Sequence, residues 1–271
     1  MRNRGKGSGA GLVILLLFLS SFGKPLAYGE PVRILSQENG SGRTFFYTAK
    51  KLGIPVLKAT IRIRNGHAEG VRNLYQIEAQ VVSLKIPGFM FRMNNRFTSV
   101  GEMAPFSPQR YVKEIDQEGL FIKRKKYVHT ITFDPDHSKA IVEEKGGGER
   151  REVVFPSLTY DPLALFARYH LKENLPLGQE VRMSIFDGIK FRQMTFLSNQ
   201  VRVKSPLLGE VEAVCLESTT AFSTFGEKEG NLRIWYTAKG DKIPILLELD
   251  LPAGMVRFES VSYTHLRAHE T

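Results

Sequence analysis

The chain has 271 residues, 24% of them charged and 42% hydrophobic, with 38 Lys and Arg against 28 Asp and Glu. That length holds one large all-β domain or two small ones, and the composition is that of an ordinary globular protein with a sizeable core. A single cysteine, Cys215, excludes an internal disulfide, and the basic residues are not gathered into any nucleic-acid module.

Residues 1–29 read as a secretory signal. Arg2, Arg4 and Lys6 make a positive start, and Gly11–Leu19 is an apolar run too short for a comfortable membrane span. Ala27-Tyr28-Gly29 offers small residues for cleavage before Glu30. The alternative is an uncleaved anchor; no cysteine follows the run closely enough for a lipid anchor. The expected location is the periplasm, with membrane contact only through the signal peptide. Without this segment's four basic residues the balance is 34 basic to 28 acidic, a net +6. Such a mild excess suits anionic lipid head groups or acidic glycans, though most charge of this kind is solvated surface.

Residues 30–261 read as one β-rich domain, opening on an irregular arm at 30–42. Thr44–Lys50 is an aromatic-rich strand. Val56–Arg64 alternates, with Leu57, Ala59, Ile61 and Ile63 on one face. Leu74–Val82 alternates likewise, with Tyr75, Ile77, Ala79 and Val81 on the apolar side, and Asn65-Gly66 is read as the turn between the two strands. Next, Phe89, Met90, Phe91 and Met93 put four large aromatic or soft side chains within five residues. They are candidates for the lip of an apolar pocket; the plainer reading is a loop leading into a buried strand.

Further strands are expected at Arg96–Val100, Arg110–Ile115, Gly119–Lys125, Tyr127–Phe133 and Lys139–Glu144. Lys123-Arg124-Lys125-Lys126 is the densest basic patch, a candidate binding site whose plainer reading is the outer face of a hairpin. Gly146-Gly147-Gly148 is a turn; no Lys-Ser/Thr pair follows it, so it is not a phosphate loop.

Pro156–Gly178 is the one convincing helix of the domain. Asp161 suits the N-cap and Pro162 the first turn. Leu163, Phe166 and Ala167, with Leu165 and Tyr169 beside them, form a broad apolar stripe, and Pro176 ends the element. With strands on both sides, this helix is the candidate plug of a curled sheet. Beyond it, Glu180–Ile185 and Ile189–Leu197 flank Asp187-Gly188, a hairpin signal. The apolar phase slips between Phe191 and Met194, which predicts a bulge near Arg192. Gly209–Thr219 is a strand carrying Cys215. Asn231–Ala238 and Ile243–Leu251 flank Gly240-Asp241 as another hairpin, and Met255–Glu259 is the last strand.

About a dozen strands, one helix and no long linker predict an all-β fold with one central helix. The expected architecture is a large curled antiparallel sheet forming an open half-barrel, with a closed antiparallel barrel as the alternative. Residues 262–271, SYTHLRAHET, fit none of this and read as a foreign tail.

No constellation of residues points to catalysis. His67, His129, His137 and His170 lack metal-pair spacing, while His265 and His269 fall in the suspect tail. No GxSxG turn or SxxK pair occurs. Asp161 reads as a helix cap, Cys215 as a buried inert thiol, and Glu143, Glu144, Glu248 and Asp250 as solvated faces. His170 stands late in the helix, where a cation suits the dipole. Trp235, the sole Trp, alternates with the apolar side of its strand and is a candidate to stack on a ligand; the plainer reading packs it under a loop. No catalytic residue, metal site or cofactor is expected.

Four stretches, in order, carry a family resemblance. They are LGIPVLKATI (Leu52–Ile61), FTSVGEMAPFSPQRY (Phe97–Tyr111), YDPLALFARYHLKENLPLGQEVRMSIFDGIK (Tyr160–Lys190) and LRIWYTAKGDKIPILLELDLPAGMV (Leu232–Val256). Together they resemble the bacterial family called domain of unknown function 3108, over roughly residues 42–260. The resemblance implies an exported protein, mostly of Gram-negative bacteria, and a shape similar to the helix-plugged half-barrels of periplasmic lipoprotein carriers. It implies no catalytic residues. The leading expectation is a non-enzymatic periplasmic domain holding an apolar or amphipathic envelope ligand, a lipid or a lipoprotein. The alternatives are a ligand-free scaffold that binds an envelope protein and, least favoured, a polysaccharide hydrolase.

Overall fold

The computed structural model describes residues 41–266 apart from 70–71, 86–90, 105, 120–121, 135–137, 147, 149, 156–157, 172–176, 219–221, 224–228 and 251–253. The signal segment, Phe89, Met90 and Pro176 therefore lie outside the described residues. The first run of strands is β1 (Ser41–Lys51), β2 (Ile54–Glu69), β3 (Arg72–Ser83), β4 (Phe91–Met103), β5 (Phe106–Gly119), β6 (Ile122–Asp134), β7 (Lys139–Glu144), β8 (Arg150–Val154) and β9 (Thr159–Tyr160). Helix α1 (Pro162–Leu171) follows. The second run is β10 (Glu180–Phe186), β11 (Phe191–Ser205), β12 (Gly209–Ser218), β13 (Phe222–Ser223), β14 (Glu229–Gly230), β15 (Leu232–Thr237), β16 (Pro244–Leu249) and β17 (Val256–Leu266).

Fifteen of these strands form one sheet, ordered β8-β7-β6-β5-β4-β3-β2-β1-β17-β16-β15-β12-β11-β10-β9, while β13 and β14 pair separately. Every pairing in the large sheet is antiparallel except the short parallel contact of β9 with β10. The sheet curls until its ends meet, but they meet through side chains. Arg151 on β8 donates to the carbonyl of Gly188 in the β10–β11 turn. Phe155 packs against Phe186 and Phe191, ring centroids 5.1 and 5.7 Å away. No β8–β9 ladder joins them among the described residues, so the open form holds and the closed barrel does not.

Alternation explains the strands. Leu57, Ala59 and Ile63 on β2 and Tyr75, Ile77 and Ala79 on β3 are buried on the inner face, as their period of two demands. The strands run longer than the apolar pattern alone indicates. Asn65-Gly66 is not the hairpin turn: the β2–β3 ladder shifts register between Asn65 and His67 and continues to Glu69 opposite Arg72. An Asn-Gly pair serves an irregular ladder position as well as a tight turn. Gly119–Lys125 is not one strand; β5 ends within it and β6 begins. The expected bulge at Arg192 is absent, since the β10–β11 ladder is unbroken from Phe186 opposite Phe191 to Glu180 opposite Leu197. The phase slips because Arg192, opposite Ile185, is itself an inward residue, ion-paired to Asp187 at 3.2 Å. Residues 262–266 extend β17 along β1, with Ser262 opposite Phe46, and the Tyr263 ring lies 6.3 Å from that of Phe45.

The helix is the plug. The Asp161 carboxylate Oδ1 accepts the N–H groups of Leu163 and Ala164 at 2.8 and 2.9 Å, which fixes its start. Ala164 to Ala167 and Tyr169 are all buried, the mark of a helix enclosed on nearly every side. Tyr236 Oη donates to the Phe166 carbonyl at 2.6 Å, and the Tyr169 ring meets Tyr236 edge-on at 4.6 Å.

Candidate ligand-binding cavity

Between α1 and the inner face of the sheet lies a cavity of about 200 Å³. Leu163, Leu165 and Phe166 of α1 form one wall, and Leu232, Ile234, Leu247 and Leu249 of β15 and β16 another. The far wall is Ala59 and Ile61 of β2, Ala79 and Val81 of β3, and Met93, Asn95 and Phe97 of β4. The two alanines create much of the space. Ala59 stands opposite Tyr47 and Val81, and Ala79 opposite Ile61 and Phe97, so each leaves a gap between bulkier neighbours.

Of the residues expected at a ligand site, Met93 lines the cavity. Phe91 is buried on the same face of β4, two residues earlier. Trp235 is on the face of β15 opposite Ile234, level with Cys215 and Leu246, with the Arg233 guanidinium 6.0 Å from its ring. It shares that outer face with Glu248, which is not solvated. Glu248 is buried between Arg233 Nε at 3.2 Å and an Arg257 guanidinium nitrogen at 3.0 Å. These belong to an ion-pair ladder running Glu217, Arg233, Glu248, Arg257, Glu259 and Lys50 across five strands.

Two buried polar groups flank the cavity, and alternation alone does not reveal either. The first surrounds the helix cap. Ser99 Oγ donates to Asp161 Oδ2 at 2.7 Å, and burial pushes the Asp161 carboxyl from 3.8 up to about 6. Burial, together with the Asp161 charge, holds the neighbouring Tyr75 phenol well above its ordinary value. Tyr75 stacks on Phe106 at 4.5 Å and leaves no room at Gly101, where a Cβ would meet Ser107 O at 2.2 Å and Tyr75 Oη at 2.4 Å. The FTSVGEMAPFSPQRY stretch thus supplies a glycine that only this close approach explains.

The second group is on β4–β6. Asn95, Lys113 and Gln117 are inward-facing and essentially without exposed surface. The β4–β5 ladder lapses at Asn94 and Asn95, and the Asn95 side-chain oxygen takes the Asp116 N–H at 3.2 Å. Lys113 stands opposite Phe97 and His129, its Nζ 5.9 Å from the Tyr127 ring. Burial lowers its pKa to about 8, against the pull of Asp187. Burial, then the charges of Lys113 and Arg151, drives His129 down to about 4. Asp187 itself is spoken for by the N–H groups of Ile189 and Lys190 and by Arg192.

The remaining candidates are structural. The His170 ring nitrogen Nδ1 lies 3.0 Å from the Lys242 carbonyl, and burial lowers its pKa, which works against the cation that would suit the helix end. Burial, with Glu217 adding to it, pushes the Cys215 thiol up to about 12, which keeps it protonated and unreactive. Among the described residues no cluster of three or more His, Cys, Asp or Glu could hold a metal.

The fold is similar to that of the beta-barrel-like protein of domain of unknown function DUF1849 from Brucella abortus. That crystal structure matches with a TM-score of 0.51 at 10% sequence identity, over 83% of this chain and 97% of that one. No curated protein matches the chain. Residues 44–260 match the family described as protein of unknown function (DUF3108), a stretch that reaches from β1 into β17, and the chain belongs to that family.

Proposed function

We propose that this chain is a non-enzymatic periplasmic domain that binds the apolar part of an envelope lipid or lipoprotein in the cavity beneath α1. The observation that carries the reading is the cavity itself: about 200 Å³ of space walled by leucine, isoleucine, alanine, phenylalanine and methionine. An apolar cavity of roughly 150 Å³ stays dry and takes up a benzene-sized guest. Here the room suits a short hydrocarbon segment or the end of an acyl chain. The buried interior carboxylates support a non-enzymatic role, since Asp161 caps the helix and Asp187 holds a turn. The signal-like start of the sequence supports export.

Native mass spectrometry of the purified protein, before and after solvent extraction, tests this. An extra mass that extraction removes, and that Ala79→Phe abolishes in a folded protein, is the expected result. A bare polypeptide mass in both states would move the reading to an envelope scaffold.

A further inference from the structure

The hairpin joining β1 to β2 turns on Leu52 and Gly53, between the paired Lys51 and Ile54. Both turn residues have positive φ, 50° and 79°, as a tight turn between twisted antiparallel strands requires. Asparagine and glycine adopt that conformation readily, whereas leucine does so at a cost. Leu52 is also 88% exposed, more than any other large apolar side chain among the described residues, so burial does not offset the cost. Neither backbone preference nor packing accounts for a leucine here.

Leu52 does not stand alone. Lys51 pairs with Val256, so one further step along the β1–β17 ladder sets Leu52 beside Met255, and Ile54 follows across the turn. Ile54 is 59% and Met255 43% exposed. A Cβ on Gly254 would lie 4.0 Å from Lys51 Cε, so the two turns are close neighbours. Single exposed apolar side chains are ordinary, but three side by side at the end of a sheet mark a contact surface. The ladder row Leu249, Val256, Lys51 and Ile54 runs from the cavity wall out to this tip. The charge around it is positive. Lys58 on β2 and Lys85 just beyond β3 are exposed, against the exposed Asp250 just beyond β16. Lys51 adds a further cation opposite Ile54, while Lys50 is matched by Glu259 at 2.6 Å.

We propose that Leu52 and Ile54, with Met255 beside them, form a docking tip that enters the head-group layer of an anionic phospholipid bilayer. This contact is additional to that of the signal segment and does not depend on the cavity holding a ligand. Apolar side chains leave water at the interface while the flanking lysines meet lipid phosphates, and the two contributions reinforce each other.

The test is co-flotation of the protein purified from periplasm with vesicles of phosphatidylglycerol and phosphatidylethanolamine, and with vesicles of phosphatidylcholine. Residues 1–29 are common to all variants, so differences between variants read the tip. The parent is expected to float with the anionic vesicles. Leu52→Asn should weaken that binding at least about tenfold while the thermal midpoint holds or rises, since asparagine suits a positive φ. Lys58→Gln with Lys85→Gln should weaken binding to the anionic vesicles alone. A parent that ignores anionic vesicles, or binding unchanged in both Leu52→Asn and Ile54→Ser, would overturn the proposal. So would a parent that forms dimers which Leu52→Asn dissociates, because the tip would then belong to a second copy of the chain. A protein that carries an extractable mass yet ignores vesicles would overturn the tip and leave the cavity reading standing; vesicle binding by a protein of bare mass would do the reverse.

Discussion

On one side of the cavity the inner face is built from Phe45 and Tyr47 of β1, Ile234 and Tyr236 of β15, and Leu249 of β16, all buried and packed around α1. On the other side the inner face of β4–β6 sets the buried Asn95, Lys113 and Gln117, with half-buried His129 across from Lys113, among its phenylalanines and isoleucines. Asn95, Lys113 and Gln117 are as shielded from water as the apolar side chains. The apolar side gains free energy from that shielding, while the polar side loses it wherever a donor or a charge goes unmatched. One half therefore supplies most of the stability, and the other offsets part of it.

Substitutions can break or sharpen this contrast. The largest effect is expected on the apolar side. Phe196, 1% exposed in the same core cluster, should cost about 3–5 kcal/mol when replaced by Ala, read as a fall in the denaturation midpoint at unchanged slope. A loss under 1 kcal/mol would mean that this half is not what holds the fold.

Next comes the cap. The native Asp161 carboxyl titrates near 6 and its ordinary value is 3.8, so between these pH values the folded chain keeps a proton that the unfolded chain has released. Stability must then fall as pH rises through that window, by an amount on the order of 3 kcal/mol, and level off above it. Asp161→Asn keeps a cap oxygen and lacks the titration. Its stability relative to the parent should improve from pH 4 to pH 7; parallel curves would show that the carboxyl is not desolvated.

On the outer surface, Glu248→Gln should cost about 1 kcal/mol, because Arg233 and Arg257 lose their shared anion while keeping solvent access. The smallest effect is expected on the polar side. Lys113→Met should change stability by less than about 1 kcal/mol in either direction, since an apolar side chain of similar size fills the site without a buried charge. A loss as large as that of Phe196→Ala would place Lys113 among the structural residues and end the contrast.

The two halves also differ in how far the sequence discloses them. Leu57, Ala59, Ile61 and Ile63 declare their face because the residues between them are Lys58, Thr60 and Arg62. Asp161-Pro162 announces the helix start by its own chemistry. At Arg192 the same rule misleads. An inward arginine breaks the apolar rhythm and reads as a slipped strand, although the ladder is regular. The same rule would place Lys113 and Gln117 in solvent, yet both are buried on the inner face of β5. Glu248 is the reverse case, a carboxylate on the outer face that neighbouring arginines cover. Trp235 alternates correctly with the apolar side, which sets it beside Cys215 and away from the cavity. Met93 could be picked out as a lining residue because it is large and apolar. Asn95 could not, since its role depends on a lapse in the β4–β5 ladder.

The seam between β1 and β17 has a kinetic consequence. The order of strands sets the middle of the chain, β8 and β9, at the outer margins and brings the first and last strands together at the centre. Two locally connected meanders can zip up independently, each from short hairpins. Their union must wait for segments more than 200 residues apart, as when Lys50 meets Glu259. Contacts of such long sequence separation are the slow ones to form. Until they do, β1 and β17 each present an unsatisfied backbone rail to any neighbouring chain. The vulnerable species of this protein is thus a pair of finished half-sheets whose inner faces are still open along one unsealed line.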